Sequence, residues 1–439
     1  MATSGGSTLD EFRERAQQAE QQIEILKERL NTLEAQLCDA ESKSNLKLGA
    51  PSSMGDDFQL NLRYLCERGV KIQPNSEIVT RIADGKYHRI TYLQAQKTAT
   101  KLASALSKLG INIGDRVASF MWNNSRHMCL YYAVPSMGAV LHTLNIRLSK
   151  KELQYIINHA KDKIIFVDAS LLPLFAQIDK ETLQSLHKII ICGNNEQTGG
   201  YVNPDLGNIM DFDEFLATGD DEYEWPDLDE KSGAALCYTS GTTGNPKGVM
   251  YSHRSCYLET LMMMGTDMMN VSGADSILPV VPMFHALAWC TPFSAFCLGY
   301  KYVLYNCHRK PQDFLDMVRD EGVNLLLGVP TILNGIKMMM QNKEIYDKYA
   351  KDFKGTWTRA VCGGSAPAPS MIKWYIDELD IEVIHGWGMT ETNPVGSVSR
   401  RVARRCDLDK TDDEKYQNQL PQGLICPLVE VKIVKPDNY

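Results

Sequence analysis

The stretch YTSGTTGNPKGV, residues 238–249, decides how this chain is interpreted. It follows an apolar run at residues 234–237 that predicts a strand, and we expect an apolar helix after it. Its glycines let backbone N–H groups close around an anion, its hydroxyls add donors, and Lys247 adds a mobile positive charge. The stretch therefore predicts a cradle for a triphosphate. The spacing differs from that of a Walker loop, and the position between regular elements disfavours a flexible linker.

Composition places the chain among soluble cytosolic proteins. Its 439 residues predict two to three domains, and a net charge of −8 argues against nucleic acid as a main partner. The 12 cysteines include no C-x-x-C pair, and no secretory leader is recognised, so free thiols are expected. No transmembrane span is predicted, because prolines interrupt the apolar region 277–305. The C-terminus is not a peroxisomal signal. We expect a cytoplasmic protein and leave peripheral membrane association open.

The N-terminal part differs from the rest of the chain. Residues 1–8 are small and polar and are expected to be disordered. Apolar residues then recur three and four apart from Leu9 to Leu37 with charged residues between them, which predicts a coiled-coil helix over residues 9–41. We expect this helix to mediate self-association or to bind a coiled-coil partner. The alternative is a single helix packed on its own globular domain. Residues 42–57 predict a linker.

From about Asn61 the pattern becomes α/β. Strand-like runs at residues 116–121, 164–167 and 188–191 alternate with helical periodicity, for example at residues 94–109. This alternation predicts a parallel sheet with right-handed crossovers.

Three later segments carry polar or aromatic residues at strand ends. They are PMFHALAW at 282–289, GGSAP at 363–367 and HGWGMTE at 385–391. Taken alone, His285 is more often a core residue than a catalytic one, residues 363–367 are only a turn, and Thr390-Glu391 is better explained as a helix cap. A carboxylate such as Glu391 also suits Mg²⁺, and Trp387 suits a purine ring.

Taken together and in this order, the four segments resemble the adenylate-forming superfamily, within it most closely the medium- and long-chain fatty-acyl-CoA synthetases. Residues 133–163 and 278–293 support the narrower likeness, which runs from about Leu60 to the C-terminus. The resemblance implies an α/β fold: the N-terminal domain of an adenylate-forming enzyme over residues 58–439, with two mixed or parallel α/β subdomains and the start of a small β-barrel near residues 424–434. The mobile C-terminal domain of the family is not visible, so we expect a truncated adenylation domain.

The resemblance also implies site residues. Those expected to bind the nucleotide are Thr239, Ser240, Gly241, Thr242, Thr243, Gly244, Lys247, Gly364, Ser365, Ala366, His385, Gly386, Trp387, Gly388, Met389 and Thr390. Those expected to take part in catalysis are Thr239, Lys247, His285 and Glu391. Thr239 and Glu391 would hold Mg²⁺, while His285 and Trp289 would contact the acyl substrate. Trp387 stands where family members usually carry tyrosine.

The expected function is ATP-dependent activation of a fatty acid through acyl-AMP to acyl-CoA, with ATP, Mg²⁺ and coenzyme A as cofactors. Two alternatives stay open. One is a catalytically incomplete nucleotide- or acyl-binding protein that acts through its coiled coil. The other is a different adenylating enzyme, such as an aryl-CoA ligase.

Overall fold

The computed structural model describes residues 22–23, 26–27, 29–30, 50, 53–54, 57–184, 186–193, 208–239 and 244–434. The chain divides into two units, Met1–Phe58 and Gln59–Tyr439. In the first unit, the described residues between 22 and 30 are α-helical and exposed. The remainder of the predicted coiled-coil helix at 9–41, residues 1–8 and most of the linker at 42–57 lie outside the described residues.

The described part of the second unit is built from alternating strands and helices. The strands are β1 (Glu77–Ala83), β2 (Lys86–Thr91), β3 (Arg116–Phe120), β4 (Val140–Thr143), β5 (Asp162–Asp168), β6 (Lys188–Cys192), β7 (Ile209–Asp211), β8 (Gly233–Thr239), β9 (Lys247–Ser252), β10 (Ser276–Pro279), β11 (Lys301–Leu304), β12 (Leu325–Gly328), β13 (Arg359–Cys362), β14 (Glu382–Gly388), β15 (Val395–Ser399) and β16 (Leu424–Ile425).

The helices complete the crossovers. They are α1 (Leu62–Ile72), α2 (Tyr92–Lys108), α3 (Ser125–Ser136), α4 (Lys150–Ala160), α5 (Leu172–Phe175), α6 (Lys180–Gln184), α7 (Phe212–Ala217), α8 (His253–Met264), α9 (Thr291–Leu298), α10 (Pro311–Glu321), α11 (Pro330–Met340), α12 (Lys343–Phe353), α13 (Pro369–Leu379) and α14 (Asp412–Gln417). Local sequence fixes several starts: at α2, for example, the Thr91 hydroxyl accepts from the Gln94 amide while the Gln94 side chain accepts from the Thr91 amide.

Two sheets organise these elements. The first has seven strands in the order β7-β6-β5-β3-β4-β8-β9, all parallel except β9. The second has nine strands in the order β16-β15-β14-β13-β12-β10-β11-β1-β2, with antiparallel pairs only at its two edges. The predicted α/β fold with mainly parallel strands is confirmed.

Because side chains alternate between the two faces of a strand, the buried apolar residues divide between a central core and outer cores. In β5, Ile164 and Phe166 belong to the central core, whereas Ile165 and Val167 pack in the core on the other face of the sheet. Both faces of such a strand are buried, which explains why its sequence reads as a continuous apolar run rather than an alternating one.

Two local expectations need correction. The phosphate loop does not run from a strand into a helix, because residues 247–252 form β9, which returns antiparallel to β8 before α8 begins. Of residues 424–434, where the start of a small barrel was expected, only Leu424–Ile425 is a strand, and it extends the edge of the nine-stranded sheet. Among the described residues we find no helix that is both apolar and long enough for a transmembrane span.

Candidate active site

A pocket opens where three of the predicted segments meet. It lies beyond the carboxyl ends of β13 and β14, the place where ligands bind in open α/β sheets. Its lining residues are Met269, His285, Ala286, Trp289, Val361, Gly363, Gly364, Gly386, Trp387, Gly388, Met389, Thr390, Pro394 and Val395.

The structure brings together many, but not all, of the predicted site residues. Eight of them line the pocket: His285, Trp289, Gly364, Gly386, Trp387, Gly388, Met389 and Thr390. Ser365 and Ala366 are exposed immediately after Gly364 and are not part of the lining. His385 also lies outside the lining: it is buried in β14, and its Nδ1 atom has no hydrogen-bond partner. The structure thus gives no support to a contact between His385 and the nucleotide.

The phosphate loop is the turn of the β8–β9 hairpin. Thr239 ends β8 and pairs with Lys247, the first residue of β9, so the register holds the predicted metal ligand beside the predicted phosphate-binding lysine. Lys247 is exposed and forms no ion pair with a described residue. Ser240, Gly241, Thr242 and Thr243 lie outside the described residues, and Gly244 has φ +112°, a value that favours glycine.

The hairpin is fixed on its outer side by Tyr238. The Tyr238 hydroxyl lies 2.6 Å from Nδ1 of His159, which is near the end of α4. Its ring covers Gly248 on the paired strand, where a Cβ would stand 3.2 Å from the ring. These contacts determine where the carboxyl end of β8 lies.

On its inner side, the hairpin is joined to the Thr390-Glu391 turn by Tyr251. The buried Tyr251 hydroxyl donates a hydrogen bond of 2.6 Å to the carbonyl oxygen of Thr390. Burial raises the pKa of Tyr251 far above its usual range, so the hydroxyl keeps the proton that it donates. No separate sequence signal marks Tyr251, because β9 has no clear strand pattern.

The indole ring of Trp289 lies close to the backbone at Gly363. A Cβ at Gly363 would stand 3.0 Å from both the indole ring and the carbonyl oxygen of Gly386, so a larger residue there would fit only if these neighbours shifted by a few tenths of an ångström. Trp289 is carried by residues Ala286–Cys290, all of which have φ between 45° and 57°. A left-handed run of non-glycine residues costs about 1–2 kcal/mol per residue, and such strain is often held at functional sites.

Trp387 is held in a similar way on the other side of the pocket. A Cβ at Gly396, on the neighbouring strand β15, would lie 2.5 Å from the Trp387 ring. The larger indole is therefore accommodated by a glycine opposite it, which explains how tryptophan fits at a position where tyrosine was expected.

His285 presents an accessible edge at the pocket. The protein atoms around it lower the pKa of its imidazole by desolvation, and the positive charge of Arg147 lowers the pKa further. The imidazole is therefore neutral near pH 7. One of its ring nitrogens donates a hydrogen bond and the other accepts one.

Two places in the structure present carboxylates to a metal ion: Glu391, and the cluster that contains Asp84 and Asp313. Glu391 is exposed and forms no ion pair with a described residue, so its oxygens are free to bind a hard cation. Elsewhere, donor atoms of Asp84, His308 and Asp313 lie within 4.8 Å of one another. Arg81 already forms ion pairs of 3.3 and 3.1 Å with these two aspartates, which leaves little net charge for a metal there.

Several lining residues were not predicted. Val361, Pro394 and Val395 are buried residues whose sequence surroundings resemble any other core segment. The methionine-rich segment before Met269 is mostly core: Met262, Met263 and Met268 are buried and do not line this pocket.

Comparisons with known proteins identify the family of the chain. The AMP-binding enzyme family matches residues 66–439. A medium-chain-fatty-acid–CoA ligase of Ectopseudomonas oleovorans is 39% identical over 379 residues, which cover 86% of this chain and 67% of the relative. A long-chain-fatty-acid–CoA ligase of Thermus thermophilus is 37% identical over 383 residues, which cover 87% of this chain and 66% of the relative. The chain thus spans about two thirds of the length of these relatives.

Solved structures share the fold. The anthranilate CoA ligase AuaEII in complex with anthranoyl-AMP superposes with a TM-score of 0.73 over 87% of this chain and 68% of its own, at 18% identity. The N-terminal domain of FACL13 from Mycobacterium tuberculosis superposes with a TM-score of 0.63 over 77% of this chain and 78% of its own, at 25% identity.

Proposed function

Because the chain belongs to the AMP-binding enzyme family, we propose that it activates a fatty acid as an acyl-adenylate and transfers the acyl group to coenzyme A. The acid–thiol ligase type predicted from the sequence is confirmed by the relatives, and ATP, Mg²⁺ and coenzyme A are the cofactors of that class. The fatty-acid substrate and the residue roles below are part of the proposal.

The observation that carries the proposal is the hydrogen bond between Tyr251 and Thr390. It holds the hairpin with Thr239 and Lys247 next to the turn with Thr390 and Glu391. A phosphate chain at the hairpin would therefore lead towards the pocket between Trp289 and Trp387, where the adenylate would be formed.

In the first step, a carboxylate oxygen of the fatty acid attacks the α-phosphorus of ATP. The new P–O bond replaces the bond to pyrophosphate, which leaves with its electron pair. Lys247 would stabilise the negative charge on the phosphates, and neutral His285 would donate a hydrogen bond to the attacking carboxylate without drawing the substrate into a salt bridge. Thr239 and Glu391 would hold Mg²⁺, which when bound withdraws charge from the phosphate oxygens.

In the second step, the sulfur of coenzyme A, as the thiolate, attacks the acyl carbonyl carbon. The C–O bond to AMP breaks and AMP leaves, which gives the thioester. A carboxylate is a poor electrophile towards a thiol, and the adenylate supplies the leaving group that the free acid lacks.

A medium-chain fatty acid is the proposed substrate. The relative with 39% identity is named for this class, and the apolar side chains of Met269, Trp289 and Val361 line the pocket. Methionine adapts to flexible apolar ligands because its side chain is unbranched and polarisable.

The test is an assay of the purified full chain with ATP, Mg²⁺, coenzyme A and one of three acids: octanoate, palmitate or coumarate. Acyl-AMP and thioester are measured separately. We expect product with octanoate, and a loss of at least about tenfold with Lys247→Ala, because a charge-assisted contact is removed. Lys343→Ala, which changes an exposed lysine on α12, is the control.

Two results would contradict the proposal. Product with coumarate alone would favour an aryl-CoA ligase. Nucleotide binding without acyl-AMP from any acid would favour a nucleotide-binding protein that acts through its N-terminal helix.

A further inference from the structure

A cavity at the carboxyl ends of β3 and β5 has no role in the proposed reaction. It has a volume of about 370 Å³, within the range of small-ligand sites, and it shares no lining residue with the candidate active site. Asn124, Ser125 and Arg126 line it from the chain that follows β3. Asp168 and Ser170 line it from the end of β5 and the chain beyond.

The cavity lies where the order of the seven-stranded sheet changes direction. After β3 the chain passes through α3 to β4 on one side of β3, and it then returns to β5 on the other side. α3 packs in the central core, whereas the residues after β5 pack in the core on the opposite face of the sheet. Ligands of open α/β sheets bind in the crevice outside the carboxyl ends of the strands at such a switch point.

The first turn of α3 has one backbone donor that is not used. The Thr80 hydroxyl accepts from the Ser125 amide at 3.1 Å, and Asn124 accepts from two further amides of this turn. The Arg126 amide has no acceptor within the described part of the chain. Because α3 is 12 residues long, its dipole adds partial positive charge at this end, which favours an anion.

Two side chains of the same turn are also without partners. Ser125 is only 6% exposed, and its hydroxyl forms no hydrogen bond with another described residue. The guanidinium of Arg126 forms neither an ion pair nor a hydrogen bond within the described ranges, and lies 5.5 Å from the centre of the Phe212 ring. Leaving a buried hydroxyl and a partly buried charge unpaired costs free energy, which a ligand at this place would recover.

These donors suit a phosphate group. The hydroxyl of Ser125 and the amide and guanidinium of Arg126 belong to adjacent residues, so one group at the start of α3 can contact them. Arginine matches the oxygens of a phosphate with its planar fork. Asn306 also lines the cavity, and its side-chain amide has no hydrogen-bond partner in the described residues, so the cavity offers polar contacts beyond the phosphate.

Asp168 opposes an anion in this cavity. Its Oδ2 accepts from the Trp122 amide at 2.7 Å and from the Asn124 side chain at 2.8 Å. Burial raises the pKa of its carboxyl to about 7, although the positive charge of Arg126 favours the ionised form. Above pH 7 the carboxylate therefore repels an anion, and asparagine at this position would remove the repulsion while keeping an acceptor oxygen.

We propose that this cavity is a second ligand site, which binds the phosphate monoester of a small hydroxylated molecule such as a sugar phosphate. The phosphate contacts Ser125 and Arg126, and the hydroxyl groups of the ligand lie towards Asn306. Because the two linings are separate, a ligand can occupy this cavity while the candidate active site holds its substrates.

The experiment measures binding to the full-length chain by titration calorimetry at pH 8. The probes are ribose 5-phosphate, inorganic phosphate and uncharged ribose. Ribose 5-phosphate should bind at least about threefold more tightly than inorganic phosphate and at least about tenfold more tightly than ribose, because it makes both kinds of contact.

Three substitutions test the contacts with ribose 5-phosphate. Arg126→Gln should weaken binding at least about tenfold, and Ser125→Ala should weaken it about threefold. Asp168→Asn should tighten binding at least about threefold, because it removes a like charge. Changes in both directions cannot result from a general loss of folding, and circular dichroism of each variant checks the fold.

Two controls locate the binding. Arg405→Gln removes an exposed arginine outside the cavity lining and should leave the affinity for ribose 5-phosphate unchanged. Lys247→Ala removes the proposed phosphate-binding lysine of the candidate active site and should also leave this affinity unchanged. The second site is thus tested separately from the proposed ligase activity.

Three outcomes would overturn the proposal. In the first, ribose 5-phosphate does not bind to the parent. In the second, Arg126→Gln and Asp168→Asn bind it like the parent, or Lys247→Ala loses it, so the ligand lies elsewhere. In the third, inorganic phosphate binds as tightly as ribose 5-phosphate, so the site takes an adventitious ion only.

Discussion

Tyr251 connects the two halves of the candidate active site through a single buried hydrogen bond. Tyr251→Phe removes the hydroxyl but keeps the ring, and it leaves the Thr390 carbonyl oxygen without this donor. We expect a loss of about 1–3 kcal/mol in the free energy of unfolding, measured in urea, and weaker binding of ATP. Tyr346→Phe is the control, because its hydroxyl makes a similar bond to the Glu378 carbonyl at an exposed site. Equal, small losses in both variants would contradict the role given to Tyr251.

Glu391 is the proposed carboxylate ligand of Mg²⁺. Glu391→Gln keeps the shape and removes the charge, so titration calorimetry should show weaker binding of ATP with Mg²⁺, by about 1.5–3 kcal/mol, and little change for AMP without metal. Glu378→Gln, at an exposed carboxylate on α13, is the control. An unchanged affinity for the magnesium complex would remove Glu391 from the metal site.

Asp168 gives the fold a pH dependence away from the candidate active site. Burial raises the pKa of its carboxyl to about 7, while its Oδ2 accepts from the Trp122 amide and the Asn124 side chain. An unfolded aspartate has a pKa of about 3.9, so between about pH 4 and pH 7 the folded state binds more protons than the unfolded state. The free energy of unfolding from this group therefore falls as the pH rises through that window.

Asp168→Asn keeps both hydrogen bonds to an oxygen and cannot ionise. As the pH rises from 5 to 7, the free energy of unfolding in urea should fall less for this variant than for the parent. Asp267→Asn, at an exposed site, is the control and should show the same pH dependence as the parent. A parallel pH profile for Asp168→Asn would show that its carboxyl does not titrate in this range.

The turn of residues 286–290 is the most strained backbone among the described elements near the pocket. Ala288 in this turn and Ala295 in α9 are both fully buried, but Ala288 has φ 47° and Ala295 is in a right-handed helix. Replacing either with glycine removes the same methyl group. Only at Ala288 does glycine also relieve the left-handed conformation.

We therefore expect Ala288→Gly to be more stable than Ala295→Gly by about 1–2 kcal/mol in urea unfolding. Equal losses would mean that the left-handed turn is not strained in solution.

Strand and helix patterns could be predicted where one periodicity dominates. The predicted strand at residues 164–167 lies within β5, and the predicted helix at residues 94–109 lies within a few residues of α2. The strand is recognisable because it is buried on both faces, and the helix because it is buried on one face. β9 was missed, because only one of its six residues, Tyr251, is buried, so no apolar pattern marks it, and because it runs straight into α8.

Most of the predicted residues at the carboxyl ends of β13 and β14 line the pocket, and others beside them in the sequence do not. Trp387 and Thr390 follow β14 directly or lie within it, so their proximity to Gly364 follows from the parallel pairing of β13 and β14. His385 was expected beside them, but it is buried earlier in β14 and does not line the pocket. Pro394 and Val395 reach the pocket through tertiary packing that no local pattern encodes.

The two sheets are joined by Asn123, which follows β3 and is completely buried. Its side-chain nitrogen donates to the carbonyl oxygens of Pro279 and Val281 at 3.0 and 2.9 Å, and its oxygen accepts from the Met283 amide at 2.8 Å. All three partners are at or just beyond the end of β10, in the other sheet.

Asn123→Ala would leave these three backbone groups unpaired in the interior. We expect a loss of at least about 3 kcal/mol in the free energy of unfolding, since each unsatisfied buried group costs about 1–3 kcal/mol. Asn324→Ala is the comparison, because it makes two side-chain bonds at a less buried site. A loss no larger than that of Asn324→Ala would show that the sheets are held together mainly by the central core.

The contact between Trp289 and Gly363 has a consequence for measured affinities. A side chain that rests beside Gly363 competes with any ligand that needs the same space. If the indole leaves Gly363 in only about one molecule in a hundred, the apparent dissociation constant is about a hundredfold weaker than the intrinsic one. An observed weak affinity would then report the rarity of the open conformer rather than poor complementarity, and a smaller side chain at this position would tighten binding without adding a contact.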